Sequence, residues 1–230
     1  MKKLFTATAV LFATFTINAQ CDNAYFPLSD GVTFEQTSYN AKGKEEGKTS
    51  SVVSSDSDTK ALVSNKIYDK KGDLVTEGDY EVICEDGKIK MDIEQFIPDE
   101  MLNSYENMEV IVEGDFLEFP NELSVGQNLP EGNGKITIKM GEGAVNMIMN
   151  MTFTNRKVEA QESLTTPAGT FDTYKISQTT ISEMEIMGMK REMTFTSTSW
   201  IAEGVGNVKT ENYDKKGKLQ SYTELTSFSK

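Results

Sequence analysis

The chain has 230 residues, of which 37% are hydrophobic and 26% are charged, and its formal net charge is −13 at pH 7. Such an acidic chain repels phosphate backbones, which argues against nucleic acid as a partner. It contains no histidine, which removes Ser-His-Asp and Cys-His catalysis, His-based zinc sites and the most common general base. No loop has the pattern of a phosphate or calcium site either. We therefore expect no cofactor, no metal and no enzyme activity.

The residues before Cys21 have the features of an export signal. Lys2 and Lys3 precede an apolar run, Leu4 to Ile17, that is too short to span a bilayer. Ala19 is the small residue at the expected cut. We predict that residues 1–19 are a cleaved signal peptide and that residues 20–230 form a single periplasmic β domain without a transmembrane segment. Its net charge is then −13 − 2 = −15, and release from the cell is left open.

The chain has two cysteines, Cys21 and Cys84. In an oxidising compartment the simplest expectation is a disulfide between them. Lipid attachment to Cys21 is the competing expectation, but a small residue normally precedes a lipidated cysteine, and here the bulky Gln20 does. The two modifications exclude each other, because a lipidated Cys21 would leave Cys84 unpaired. We predict the disulfide, with lipoprotein anchoring as the less favoured alternative.

Alternation of apolar and polar residues dominates the rest of the sequence, and helical periodicity is nearly absent. Ile89, Met91 and Ile93 alternate with charged residues, and about a dozen similar runs are separated by turns that contain glycine or asparagine. This spacing is typical of a meandering antiparallel sheet. The exception is Pro98–Asn107, where proline and acidic residues open a segment with its apolar residues on one face. That segment is predicted to be one short helix.

One turn sequence occurs three times along the chain. An aromatic residue is followed by asparagine or aspartate and, three residues further on, by glycine; the copies begin at Tyr39, Tyr68 and Tyr213. Asparagine and aspartate favour turns, and glycine permits a positive φ. The pattern predicts three hairpins, each with a type I turn followed by a glycine bulge.

Three stretches carry a family resemblance. They are Cys21 to Leu28 followed by Gly31, the hairpin Thr166 to Ile176 with the pattern TPAGTF-x-x-YK, and Trp200 with Gly204 to Lys209. In these stretches the chain resembles the TapB-type family of envelope proteins. The resemblance implies a curved sheet similar to the half-barrel of the LolA/LolB lipoprotein carriers, and it implies no activity. Together with the alternation, it predicts an all-β fold: a strongly curved antiparallel sheet, or incomplete half-barrel, with one short helix.

Methionine is the distinctive residue type, with 12 copies in the chain. Two predicted strands each place a set of methionines and one phenylalanine on a single face. The sets are Met147, Met149, Met151 and Phe153, and Met187, Met189, Met193 and Phe195. Trp200 has the opposite parity to the second set and is expected to be a buried anchor.

Three interpretations of the methionine face are open. It can be ordinary core, because methionine fills gaps well. It can line an apolar groove on the concave side of the sheet, where flexible side chains adapt to acyl chains. It can be a copper(I) site, since thioethers are soft ligands.

The function hypothesis that we carry forward is a non-catalytic periplasmic protein that binds a hydrophobic ligand, either a lipid or a lipoprotein acyl chain. The eight residues of the two sets would line the groove. The alternative is a structural or protein-interaction module with a filled core and no ligand. An enzyme that uses a carboxylate pair on envelope polymers is third, because no two acidic residues stand out. The sequence predicts neither the ligand's identity nor the oligomeric state.

Overall fold

The computed structural model of the chain describes residues 25–57, 59–85, 88–91, 108–114, 117–140, 144–186 and 188–230. Every helix or strand within these ranges is a strand, which confirms the predicted all-β class. The strands are β1 Thr33–Asn40, β2 Glu45–Ser57, β3 Lys60–Asp69, β4 Leu74–Glu85, β5 Lys88–Met91, β6 Met108–Gly114, β7 Leu117–Phe119, β8 Gly132–Met140, β9 Ala144–Thr166, β10 Gly169–Ile186, β11 Met189–Ala202, β12 Gly206–Asp214 and β13 Leu219–Ser229. The predicted signal peptide and the predicted helix at Pro98–Asn107 lie outside the described residues.

The thirteen strands of the described ranges form one sheet in the order β6-β8-β9-β10-β11-β12-β13-β1-β2-β3-β4-β5-β7. Most neighbours are consecutive strands joined by hairpins, as the regular spacing of turns predicted. The pairing of β1 with β13 is different, because it joins the two ends of the chain, with Thr33 opposite Ser229. The sheet is therefore built from two meanders that meet at this pair.

The two outer strands of the sheet show how strongly it curves. β6 ends at Gly114 and β7 begins at Leu117, so three Cα steps of about 3.8 Å limit the distance between these two residues to about 11 Å. The two strands are nevertheless not paired with each other. The sheet therefore curls until its edges approach at this point without closing, which confirms the predicted incomplete barrel.

Apolar side chains on the inner face form the core. One cluster centres on Val53, Val63 and Val82, which are fully buried and lie on β2, β3 and β4. Another cluster includes Val158 and Ile176, on β9 and β10. Burial of one such side chain contributes roughly 1.5–3 kcal/mol. Ala61 and Val63 on β3, like Val82 and Cys84 on β4, occupy alternate positions, which is the pattern that predicts strands.

Cys84 belongs to the first cluster and is only 4% exposed. The described residues contain no free cysteine. The predicted partner, Cys21, lies outside the described residues, so the disulfide and the choice between it and lipid attachment stay predictions.

The three repeated turn sequences form the tips of hairpins, as predicted. In each of them the side-chain oxygen of asparagine or aspartate accepts hydrogen bonds from two backbone N–H groups. Asp214 accepts from Lys216 at 2.8 Å and from Lys218 at 3.0 Å, and Asp69 and Asn40 accept in the same way. The glycines have positive φ, and a register shift beside each turn marks the predicted bulge.

These turns make stability depend on pH. Hydrogen bonds from backbone N–H groups hold the pKa of Asp69 and of Asp214 below the ordinary value of 3.8. A lowered folded-state pKa contributes stability above the unfolded-state pKa, and that contribution is lost as pH falls through the folded-state pKa. We expect the free energy of unfolding of wild type to fall relative to that of the double variant Asp69→Asn/Asp214→Asn on acidification below about pH 4. The reason is that the asparagine amide keeps the acceptor oxygen but does not titrate. Urea unfolding of both proteins at neutral and acidic pH measures this. A difference in midpoint that stays constant with pH would contradict the assignment.

The stretches that carried the family resemblance have defined places in this fold. The Thr166–Gly169 turn joins β9 to β10, and Gly169 has φ 142°. Gly206 has φ 92°, and a Cβ atom there would lie 3.5 Å from the Cδ atom of Pro27. The N-terminal and late stretches therefore pack against each other, at a position where the backbone conformation requires glycine.

Candidate functional site

A cavity of about 520 Å³ lies inside the curved sheet. Its volume falls within the roughly 300–1,000 Å³ that is typical of small-ligand sites. Strands from distant parts of the sheet order contribute to its wall, including β4, β5 and β7 on one side and β9 to β12 on the other. The backbone segment Tyr25–Pro27 covers part of it. The cavity is therefore a direct product of the curvature.

Most of the cavity wall is apolar. This part of the wall includes Tyr80, Ile89, Phe119, Met151, Phe153 and Phe195. Three of these residues, Met151, Phe153 and Phe195, were predicted from the sequence to line a groove. Register explains why they meet: Thr180 of β10 lies opposite Phe153 of β9 and opposite Phe195 of β11. The three strands thus present one continuous row to the interior.

The other predicted lining residues do not reach the cavity wall. Met147 is 8% exposed and packs in the interior, and Met149 is half-buried. Met189 and Met193, near the β10–β11 turn, are 72% and 40% exposed, and Met187 lies outside the described residues. Ser182 of β10 lies opposite Met151 of β9 and Met193 of β11. In this row Met151 lines the cavity, whereas Met193 and the residues nearer the β10–β11 turn do not.

A smaller part of the cavity wall is polar, and the sequence did not reveal it. This part includes Gln36, Gln178, Ser197, Ser199, Thr210 and Asn212. Ser197 and Ser199 have the parity of Phe195, so they face inward with it, whereas Trp200 and the threonines before it face outward. The signal was present in this parity, but a run of serine and threonine is also common on exposed strands.

A β-bulge in β9 changes which residues face inward. Residues 155 and 156 of β9 lie opposite the single residue Gln178, because Ser177 pairs with Lys157 and Thr179 pairs with Thr154. Asn155 has φ 53°, the one positive value among described residues other than glycine, and asparagine tolerates this region better than most residues. After the bulge the inward positions are Arg156 and Val158 instead of odd-numbered residues.

Arg156 is a buried cation that the sequence analysis missed. Only 2% of it is exposed. Its Nη1 atom donates to the carbonyl of Glu118 at 3.2 Å and to that of Pro130, and its guanidinium lies 4.9 Å from the ring centre of Phe119. Its Nε and Nη2 atoms have no hydrogen-bond partner among the described residues. Burial lowers the pKa of Arg156 to about 10, so the group stays protonated at neutral pH. It fastens β7 and the chain that follows β7 to β9.

Trp200 lies on the outer face and is 6% exposed, which confirms the predicted buried anchor. Its Nε1 donates to a carboxylate oxygen of Glu162 at 2.6 Å. The Nζ atoms of Lys175 and Lys209, its neighbours on β10 and β12, lie 5.2 Å and 5.5 Å from its ring. The side chains of Glu162, Lys175 and Lys209 therefore help to cover this aromatic residue.

The chemistry available in the cavity is burial and neutral hydrogen bonding. Among the described residues that line it, none is aspartate, glutamate, lysine or arginine. No cluster of three His, Cys, Asp or Glu residues that could hold a metal ion occurs in the described part of the chain. No helix found in the described ranges is long and apolar enough to cross a membrane. Such a wall can hold an apolar molecule that carries a few uncharged polar groups.

Comparison with known proteins defines the family. The model of the DUF3108-like family matches residues 29–225, so the chain belongs to that family. A candidate lipoprotein from Parabacteroides distasonis ATCC 8503 is similar in structure, with a TM-score of 0.70, 26% identity, and coverage of 90% of this chain and 99% of the other. A candidate exported protein with a YmcC-like fold from Bacteroides fragilis NCTC 9343 gives a TM-score of 0.68, 21% identity, and coverage of 90% and 100%. No curated protein matches the chain.

These comparisons show the DUF3108-like family and a YmcC-like fold. The second structure, at 21% identity, is evidence of fold alone. The resemblance to the TapB-type family and to the LolA/LolB carriers receives no support from them, whereas the curved, open sheet that it implied is present.

Proposed function

We propose that the chain is a non-catalytic protein of the cell envelope that binds a hydrophobic ligand, a lipid or a lipoprotein acyl chain, inside the curved sheet. The observation that carries this proposal is the cavity of about 520 Å³, whose wall is mainly apolar. A filled core would leave no such volume, because protein interiors are packed as densely as organic crystals. Burial of apolar ligand surface there supplies roughly 25 cal/mol per Å² before ordering costs are subtracted.

The location is part of the same proposal. We place the mature protein in the periplasm, with cleavage after Ala19 and a disulfide between Cys21 and Cys84. The charged start and apolar run of the first residues support export. The printed descriptions of the two similar structures, one exported and one a lipoprotein, are consistent with the envelope.

Native mass spectrometry of protein that has been exported and gently purified from the envelope of its own host tests the proposal. We expect a one-to-one adduct of lipid mass that dissociates on activation. The polypeptide mass should correspond to a chain beginning at Gln20, less two hydrogens for the disulfide. Bare protein that also fails to take up added lipid would contradict the ligand-binding proposal. A lipid mass that stays covalently attached would instead contradict the disulfide.

A further inference from the structure

The polar part of the cavity wall differs from residue to residue in its unused hydrogen-bonding capacity. Several of its side chains already form hydrogen bonds with one another or with the backbone. Ser199 and Thr210 share a hydrogen bond of 3.0 Å, Asn207 donates to Thr210 at 2.8 Å, and the Gln36 amide donates to the backbone carbonyl of Asn207 at 3.0 Å. This network fixes the wall at β1, β11 and β12 and uses much of its own hydrogen-bonding capacity.

Gln178 and Ser197 are the exception in that wall. They lie directly opposite each other on β10 and β11, and both line the cavity. Ser197 is only 6% exposed. Neither side chain has a hydrogen bond to any described residue. Gln178 also lies opposite the bulge at Asn155 and Arg156, where the β9 ladder is interrupted. An amide and a hydroxyl with unused donors and acceptors thus stand side by side on the wall of the cavity.

The charge of the site restricts what these two groups can meet. No described lining residue is ionised at neutral pH: the only titratable ones are Tyr25 and Tyr80, and burial raises the pKa of both, that of Tyr80 to about 12. A charged ligand group would have to lose its water without gaining a counter-ion, which is strongly unfavourable. The acidic chain adds long-range repulsion against anions. A neutral polar group loses less hydration free energy when it enters the cavity, and hydrogen bonds to the wall can offset that loss.

We propose that the cavity holds an uncharged amphiphile, whose hydroxyl or amide head group hydrogen-bonds to Gln178 and Ser197 and whose hydrocarbon lies against Phe119, Phe153 and Phe195. This inference rests on the proposed function and narrows it to a ligand class. It also assigns the polar row of β10 and β11 as the element that determines specificity.

The test compares ligands that share one hydrocarbon chain and differ in head-group charge. Wild-type protein is loaded with the neutral probe N-phenyl-1-naphthylamine, and monolauroylglycerol, laurate or dodecyltrimethylammonium then displaces it, all below their micellar concentrations. We expect monolauroylglycerol to displace the probe at a concentration at least tenfold lower than either charged competitor.

Variants connect that preference to the two residues. The double variant Gln178→Leu/Ser197→Ala should bind monolauroylglycerol about tenfold more weakly, the loss expected for two neutral hydrogen bonds, and should bind the probe as wild type does. The matched control is Thr179→Val/Thr198→Val, the adjacent residues that face outward, which should change neither affinity. Should the double variant fail to fold, Gln178→Glu serves instead, because a carboxylate there should weaken laurate binding further.

Each outcome decides between the two proposals. Failure of wild type to bind the probe and every competitor would overturn the proposed function. Probe binding without head-group preference, or a preference that survives the double variant, would overturn this inference and leave the proposed function standing. A preference for laurate would also overturn it and would direct attention to Arg156 behind Phe119. A preference for the ammonium compound would assign the head group to the aromatic rings instead.

Discussion

Replacing Arg156 with alanine is expected to lower the free energy of unfolding by about 3 kcal/mol. The change removes the two charge-assisted hydrogen bonds to the carbonyls of Glu118 and Pro130, at roughly 1.5–3 kcal/mol each, and opens a void beside Phe119. Loss of an incompletely satisfied cation offsets part of this. Urea unfolding measures the change, and the fluorescence of Trp200, the single tryptophan of the chain, reports the transition.

Two further variants make that result specific. Lys157→Ala alters the neighbouring exposed residue, whose ion pair with Glu159 is a surface contact of 3.4 Å, and should change stability by no more than about 0.5 kcal/mol. Arg156→Met retains much of the side-chain volume without the charge, and its free energy of unfolding should fall less than that of Arg156→Ala. An alanine variant as stable as the Lys157 control would show that the guanidinium does not fasten β7 to β9.

The second large effect is expected on ligand binding. Met151→Trp places a larger side chain at the cavity wall and should weaken binding of N-phenyl-1-naphthylamine at least tenfold, because the added ring occupies the space that the probe needs. Thr152→Trp is the matched control, since the next residue of β9 faces outward and should leave affinity unchanged. Fluorescence titration measures both proteins, and circular dichroism verifies their fold.

The outcome for Met151 separates a ligand site from an unused void. Equal affinity in Met151→Trp and wild type would mean that the probe binds elsewhere, for example at the exposed Met189 and Met193. If Met151→Trp does not fold, Phe195→Trp fills the same cavity from β11 and takes its place.

The sequence allowed the class of fold to be predicted, because buried apolar residues alternate with other residues along several strands, such as β4 and β8. The hairpin tips were predictable for a local reason: one side chain, such as Asp69 or Asp214, and one glycine determine the turn within six residues. The pairing of β1 with β13 was not predictable in this way. It depends on contacts between residues nearly 200 positions apart, and no local pattern encodes such a partner.

The candidate site was predicted only in part, for a different physical reason. The two-residue period of side chains along a strand placed Met151, Phe153 and Phe195 on the inner face. This alternation is interrupted at Asn155, because the bulge there turns Arg156 to the inside. The sequence signal for the bulge is Asn155, a polar residue at the next position that the alternation would turn inward after Phe153. The extent of the cavity could not be predicted either, since it depends on which residues of β4, β5 and β7 come to face β9 to β12 in the curved sheet.

The pairing of the first strand with the last has a consequence for folding kinetics. During synthesis β1 can find β2 early, but its other edge stays unpaired until the final residues of β13, from Leu219 to Ser229, are available. Closing so long a loop carries a large entropic cost and slows folding. The chain therefore stays incompletely folded until its C-terminus is free to join the sheet. If the chain is exported N-terminus first, as proposed above, this topology delays completion of the sheet until the C-terminus has crossed the membrane.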